Sequence, residues 1–154
     1  MSGGQTGVDR GALDAALAAG FPCGGWAPGD RMAEDGVIPE KYALVALPKG
    51  GYRQRTRQNV IDSDGTAILY FETLKGGTRL TRNLGALLGK PYVLIDARQK
   101  SQTVAAGAIL KSVEEYGISV LNVAGPRASG WEEGYHFALD VIGGVIGRSR
   151  EVSG

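Results

Sequence analysis

The residues best placed to do chemistry lie in three glycine-rich turns: Ser2-Gly3-Gly4-Gln5-Thr6-Gly7, Lys75-Gly76-Gly77-Thr78 and Gly125-Pro126-Arg127-Ala128-Ser129-Gly130. Each stands ahead of a helix-like segment, and two follow a strand-like run. Glycine admits positive φ and lets backbone come close to a ligand. A helix N-terminus adds unpaired N–H groups and the positive end of the helix dipole. Together these suit the capture of an anion, phosphate above all. In the first turn Gly3, Gly4 and Gly7 supply the freedom, Gln5 and Thr6 the side-chain donors, and Arg10 a cation one helical turn on. In the second, Gly76 and Gly77 precede Thr78, a natural N-cap. In the third, Gly125 leads to Arg127, whose planar fork matches an oxyanion, and to Ser129. Arg55 and Asn59 form an i, i+4 pair on a predicted helix and complete the candidate set. Arg53 and Arg57 flank Arg55 at alternate positions, so all three cannot face one ligand.

Other constellations are weaker. The first turn lacks the Gly-Lys-Ser/Thr ending of a P-loop and the Gly-x-Gly-x-x-Gly of a dinucleotide fingerprint. His136 is the single histidine, lies in a helical stripe and has no nucleophile beside it. Cys23 has no second cysteine and no metal-ligand spacing, so no metal site is expected. Glu34 and Asp35, next to Arg31, suit local turn hydrogen bonds better than acid–base catalysis. Trp26 and Trp131 suit stacking on a flat heterocycle and core packing equally.

The turns need a scaffold, and periodicity supplies one. Val8–Ala19 reads as a helix ended by Gly20, Phe21–Trp26 as a short strand, and residues 27–50 as a long Pro/Gly/Asp-rich excursion. Tyr52–Ser63 reads as a helix, with Asp62 and Asp64 beside the turn that follows. Thr66–Phe71 is an almost unbroken apolar run, the pattern of a parallel strand covered on both faces. Thr78–Leu88 places Leu80, Leu84, Leu87 and Leu88 on one face. Strand Tyr92–Ile95, helix Val104–Tyr116, strand Ile118–Val123 and a stripe of Trp131, Tyr135, Leu139, Ile142 and Ile146 follow. This alternation predicts an α/β fold with right-handed crossovers and a mostly parallel sheet. Only Met1 precedes the first turn, so the usual first strand is short or missing here: either it lies upstream of Met1, or the sheet is one strand short.

With 154 residues the chain is one domain, 1–154. Its net charge of +1 provides no field to recruit nucleic acid or an acidic membrane, so any basic site is local. The 25 glycines punctuate periodic segments rather than forming a disordered tract. No apolar run is long enough to span a membrane, and one cysteine fits a reducing compartment. The expectation is a soluble, cytoplasmic protein.

These motifs, with Gly24-Gly25-Trp26, Ala33-Glu34-Asp35-Gly36 and Asp62-Ser63-Asp64-Gly65 between them, resemble in order those of the molybdenum cofactor carrier family of the SLOG superfamily. The resemblance implies a Rossmann-like three-layer sandwich and non-covalent carriage of the molybdenum cofactor, or a related phosphate-bearing molecule, toward a molybdoenzyme recipient. It also implies a homo-oligomer. It assigns Gly3, Gly4, Gln5, Thr6 and Arg10 to one anionic end, Gly76, Gly77 and Thr78 to the pocket floor, and Arg55, Asn59 and Arg127 to the rest. One departure is Glu132-Glu133-Gly134, which brings negative charge near the third turn. The enzymatic alternative is hydrolysis of the N-glycosidic bond of a nucleoside monophosphate, as in SLOG phosphoribohydrolases. Their glutamate is absent here, because Gly76-Gly77-Thr78 leads to Leu80 and Thr81. A nucleic-acid module like DNA-processing protein A is disfavoured by the near-neutral charge. Binding is favoured over catalysis.

Overall fold

Gly65 through Leu69 are buried without a break, because the strand they form is sandwiched within its sheet and between helices. The structure, a computed structural model, describes residues 1–153. Its elements are α1 (Val8–Ala18), β1 (Gly25–Ala27), β2 (Met32–Ala33), β3 (Gly36–Val37), β4 (Leu44–Ala46), α2 (Tyr52–Asp62), β5 (Gly65–Tyr70), α3 (Gly76–Leu87), β6 (Tyr92–Asp96), α4 (Gln102–Tyr116), β7 (Leu121–Ala124) and α5 (Gly134–Ser153). β5 pairs in parallel with β6 on one side and β7 on the other. β1 and β4 form a second parallel pair, and β2 and β3 a small antiparallel hairpin. Within the 27–50 excursion lie the end of β1, the hairpin and β4.

Met1 and Ser2 lie between β7 and β1 and bond to both sides. Met1 donates its nitrogen to the Leu121 carbonyl at 2.6 Å and accepts from Val123 N–H at 2.8 Å, a parallel bridge to β7. On the other side Ser2 N–H reaches the Gly24 carbonyl at 3.0 Å. Gly25 lies so close that a Cβ on it would sit 2.1 Å from the Ser2 carbonyl oxygen. Beyond Ser2 the chain turns toward α1, and the N–H and carbonyl of Trp26 are met instead by the side-chain amide of Asn59, at 2.8 and 3.1 Å. A helix side chain thus satisfies both backbone polar groups of Trp26.

The spatial order is therefore β6, β5, β7, Met1–Ser2, β1, β4. Numbered cyclically from β5, this is the doubly wound order 2-1-3-4-5-6, whose switch point lies between β5 and β7. α1, α4 and α5 cover one face, packed on Ala67, Leu69, Ile95 and Val123. α2 and α3 cover the other. A satellite cluster of Leu13, Ala27, Ile38, Tyr42 and Leu44 lies under the excursion. The arrangement is the expected three-layer Rossmann-like sandwich. Among the described residues, no helix is long and apolar enough to cross a membrane.

Three local expectations need correction. Thr78 is not the N-cap of α3; Lys75 holds that position in extended geometry, and the helix begins at Gly76. The leucine face of α3 is not its buried face. Thr78, Thr81 and Gly85 are buried, while Leu87 is 81% exposed. Small side chains let this helix lie close to its neighbours; a Cβ on Gly85 would stand 3.1 Å from the Tyr92 ring. In α5 the buried stripe keeps Ile142 and Ile146 but runs through Phe137, Ala138, Val141 and Val145, with Trp131 ahead of the helix.

α1 and α5 cross closely at Gly11, where a Cβ would meet the Tyr135 carbonyl oxygen at 2.3 Å and the Ala138 Cβ at 2.9 Å. Asp14, one turn further, accepts from the hydroxyls of both Tyr42 and Tyr135. This bond pushes the Tyr135 phenol up to about 12. Replacing a helix-interior glycine by alanine ordinarily gains roughly 1 kcal/mol. Overpacking costs about 1–3 kcal/mol, and a rigid carbonyl cannot step aside as a flexible side chain would. Gly11→Ala is therefore expected to lower stability by about 1–2 kcal/mol net. In urea melts this appears as a lower midpoint with unchanged slope, and an unchanged midpoint would contradict the close crossing.

Candidate functional site

The carboxyl ends of β5 and β7 open onto a cavity of about 670 Å³, at the place where a doubly wound sheet leaves a crevice. One wall comes from the N-terminus of α3, where Gly76 and Gly77 present backbone with nothing within 4 Å of a would-be Cβ on either. Gly76 holds φ at 49°, a conformation natural to glycine. No side chain caps this helix. Another wall is the run Asn122–Arg127, continuing from β7. Gly3 and Gln5 supply the floor, and α2 closes the remaining side.

Beneath the floor Arg55 donates to Asp9 at 3.2 Å, with side chains only 11% and 8% exposed. Burial pushes the Asp9 carboxyl above its ordinary value, while Arg55 and the Gln5 N–H pull it back. The guanidinium lies against Gly3, where a Cβ would sit 2.0 Å from Nη1, and its Nε is buried without a partner. Around the rim Arg53, Lys75, Arg79 and Arg127 are exposed, and their side chains make no hydrogen bond or salt bridge. Among the described residues Asp9 is the only carboxylate lining the cavity. Excess cations above low-dielectric walls focus a positive potential there. Phe71 and Trp131 form an aromatic side, their ring centroids 6.3 Å apart.

The structure brings nine of the sequence candidates to this cavity: Gly3, Gln5, Arg55, Asn59, Gly76, Gly77, Thr78, Gly125 and Arg127. Three of these have polar heads already engaged, Arg55 by Asp9, Asn59 by the Trp26 backbone and Gln5 by the N–H groups of Thr6 and Glu34. Gly4, Thr6, Gly7, Arg10 and Ser129 do not line it. Gly7 packs into the third turn, where a Cβ would stand 2.6 Å from the Pro126 carbonyl oxygen. That carbonyl accepts from Val8 N–H at 3.3 Å, so the start of α1 is met by protein. Arg10 donates both terminal nitrogens to Asp35, at 2.5 and 2.8 Å. Glu132 and Glu133 are exposed ahead of α5, and neither lines the cavity. Trp26 is fixed by its indole N–H on Asp62 at 2.7 Å. His136 is exposed.

Sequence reasoning set Arg53 aside in favour of Arg55 and missed Lys75 and Arg79 as rim cations. A usable signal was present, since Lys75 and Arg79 bracket the second glycine pair, and only the first helical turn of α3 separates them.

The circularly permutated YpsA SLOG family matches residues 1–146. The chain belongs to that family. Permutation is what the sheet order displays: the doubly wound sequence of strands emerges only when counting starts at β5. The 1.45 Å crystal structure of a putative molybdenum carrier protein from Syntrophus aciditrophicus SB is similar over 94% of this chain and 92% of that one, with TM-score 0.91 and 43% identity. The family resemblance of the motifs is thereby borne out. No curated protein matches.

In this SLOG chain the β2–β3 hairpin is a clasp. Its turn residue Glu34 accepts from the Thr6 hydroxyl at 2.5 Å, from Ser129 N–H at 3.1 Å and from the Ser129 hydroxyl at 2.7 Å. Thr6 in turn accepts from Ala128 N–H at 3.1 Å, and Gln5 Oε1 accepts from Glu34 N–H at 2.9 Å. Glu34 and Asp35 therefore bond across loops rather than within their own turn. The Thr6 and Ser129 hydrogen bonds hold the Glu34 carboxyl below its ordinary 4.5. A depressed carboxylate stabilises the fold fully above the unfolded value and loses that contribution as pH falls through the folded one. Glu34→Gln is thus expected to lower the melting midpoint at pH 7. The gap to the parent should close as pH drops below 4.5; a gap constant with pH would mean the charge is not what holds the clasp.

Proposed function

We propose that this protein binds and carries a phosphate-bearing heterocycle, the molybdenum cofactor or a close relative, without transforming it. The observation that carries this reading is the uncapped N-terminus of α3, facing a cavity ringed by cations whose side chains make no salt bridge or hydrogen bond. Packing does not explain glycine at 77, because a Cβ there would touch nothing; a ligand drawn close to the backbone does. Phe71 and Trp131 offer a flat ring an apolar surface of its own kind. The name of the Syntrophus protein supports molybdenum cofactor as the cargo.

Magnitudes agree with carriage. A helix N-terminus contributes about 0.3–1 kcal/mol to an exposed anion. Each charge-assisted hydrogen bond adds about 1.5–3 kcal/mol. Three or so of these reach the ~8 kcal/mol of micromolar binding, tight enough to hold a ligand and loose enough to hand it on. The hydrolase alternative needs a carboxylate at the ribose. Asp9, the one lining carboxylate among the described residues, is buried and paired with Arg55, which favours binding over catalysis. Delivery to a molybdoenzyme in the cytoplasm belongs to the same reading. So does self-association, which the exposed Leu87 and Tyr92 beside edge strand β6 would serve.

The direct test is native mass spectrometry of the purified protein, with molybdenum and phosphorus measured on the same sample. A pterin phosphate with equimolar phosphorus is expected. Protein that neither retains such a molecule nor takes one up in titration would refute the reading. Arg127→Ala is expected to weaken capture at least tenfold, about 1.4 kcal/mol, without lowering the melting midpoint. Gly77→Ala should weaken it similarly, since its methyl group enters the cavity while leaving the fold intact. Unchanged affinity in both variants would move the phosphate away from α3 and the third turn.

A further inference from the structure

Arg10 and Arg55 are buried to the same degree, with side chains 12% and 11% exposed, but the fold treats them differently. Arg10 gives its Nε to the Gly4 carbonyl and both terminal nitrogens to Asp35. Arg55 makes one hydrogen bond, from Nη1 to Asp9 at 3.2 Å. Its Nε is, among the described residues, the one buried side-chain nitrogen or oxygen without a partner. Shape holds this guanidinium instead: it rests on Gly3, where a Cβ would stand, and lies 5.7 Å from the centroid of the Tyr52 ring. A guanidinium offers five N–H donors, and this one lines the cavity with most of them unused.

Asp9 is the other half of the arrangement. It lines the same cavity and accepts from Gln5 N–H at 3.2 Å as well as from Arg55. The charged groups facing it are Arg55 from α2, Arg10 from its own helix and the Met1 amino group from the segment beside β7. Burial is the larger influence on its carboxyl and acts to keep a proton there; Arg55 is the largest opposing one. With Arg55 turned to a bound anion, an ionised Asp9 would be a buried charge without its cation, the costly state of a broken pair. A proton on Asp9 removes that charge, while the anion compensates Arg55.

We propose that Arg55 changes partners when an anion enters the cavity, leaving Asp9 to bond the ligand, and that Asp9 takes up one proton from solvent in the same step. The O–H bond formed on Asp9 replaces the ion pair, so the site gains one ligand and one proton together. This rests on the anion-binding role of the cavity proposed above and adds its regulation. Capture is favoured in acid and release in alkali. Affinity is greatest below the free-protein value of Asp9, falls between that value and the higher one of the complex, and is flat above it.

Naphthyl sulfate is the probe, because it joins a flat ring to an anion with no titratable proton. Calorimetric titration of the full chain at fixed ionic strength should show affinity falling as pH rises, by up to about tenfold per unit, the slope of one linked proton. Titrations in buffers of different ionisation enthalpy should register proton uptake on binding. Asp9→Asn should remove both signatures and bind about tenfold more tightly than the parent at the alkaline end, since no carboxylate then competes for Arg55. Arg55→Gln, in which Asp9 has no cation to release, should also remove both signatures and serves where Asp9→Asn fails to fold. Affinity independent of pH in the parent, or a slope that survives either substitution, would overturn the exchange and leave the anion site standing. Binding of the probe at no pH would overturn both.

Discussion

Backbone must touch backbone at the carboxyl edge of this sheet, and the rest of the structure is arranged around that constraint. Gly7 lies against the Pro126 carbonyl, Gly125 against the Leu69 carbonyl and Val8, and Gly25 against Ser2. Each contact brings two chain segments nearer than a Cβ on the glycine would allow. Because the loops are this close, they leave one crevice between them instead of several shallow ones. Glycine here serves the packing of loops on each other, and only at the start of α3 does it leave space for something else.

That closeness raises the question of where the polar groups go. The first turn and the third are locked together by Glu34, which collects hydrogen bonds from Thr6 and Ser129. Arg10 is held away from the cavity by Asp35. Under the floor, Asp9 and Arg55 neutralise each other. Breaking such a buried pair from one side typically costs about 3–5 kcal/mol, so for as long as they are paired these two charges support Gly3 and Gln5. What remains unpaired is a rim of cations and one uncapped helix. Function resides in what the fold leaves unsatisfied.

Most of the scaffold was legible in the chain. The buried run at β5, the helix ends at Gly20 and Gly117, and the alternation of elements all follow from local periodicity and turn chemistry. Both of those glycines do adopt left-handed φ, near 60°. Periodicity misled at α3, because a leucine stripe marks an apolar face without saying which neighbour it meets. There the tight approach to the sheet selected threonine and glycine for burial. Nothing local marks Asn59 as the group that hydrogen-bonds the Trp26 backbone.

By itself, then, the sequence determined the order of elements, the three turns and the kind of ligand chemistry they could support, since these depend on near neighbours along the chain. Only the tertiary structure decided which donors and cations are free. Thr6, Arg10, Asn59 and Arg53 look equally available in one dimension. A charge or amide becomes available or engaged according to partners 25 to 95 residues away, and that is a property of folding in space. The same physics set Arg55 on Asp9 across 46 residues of chain, a relation no local spacing encodes.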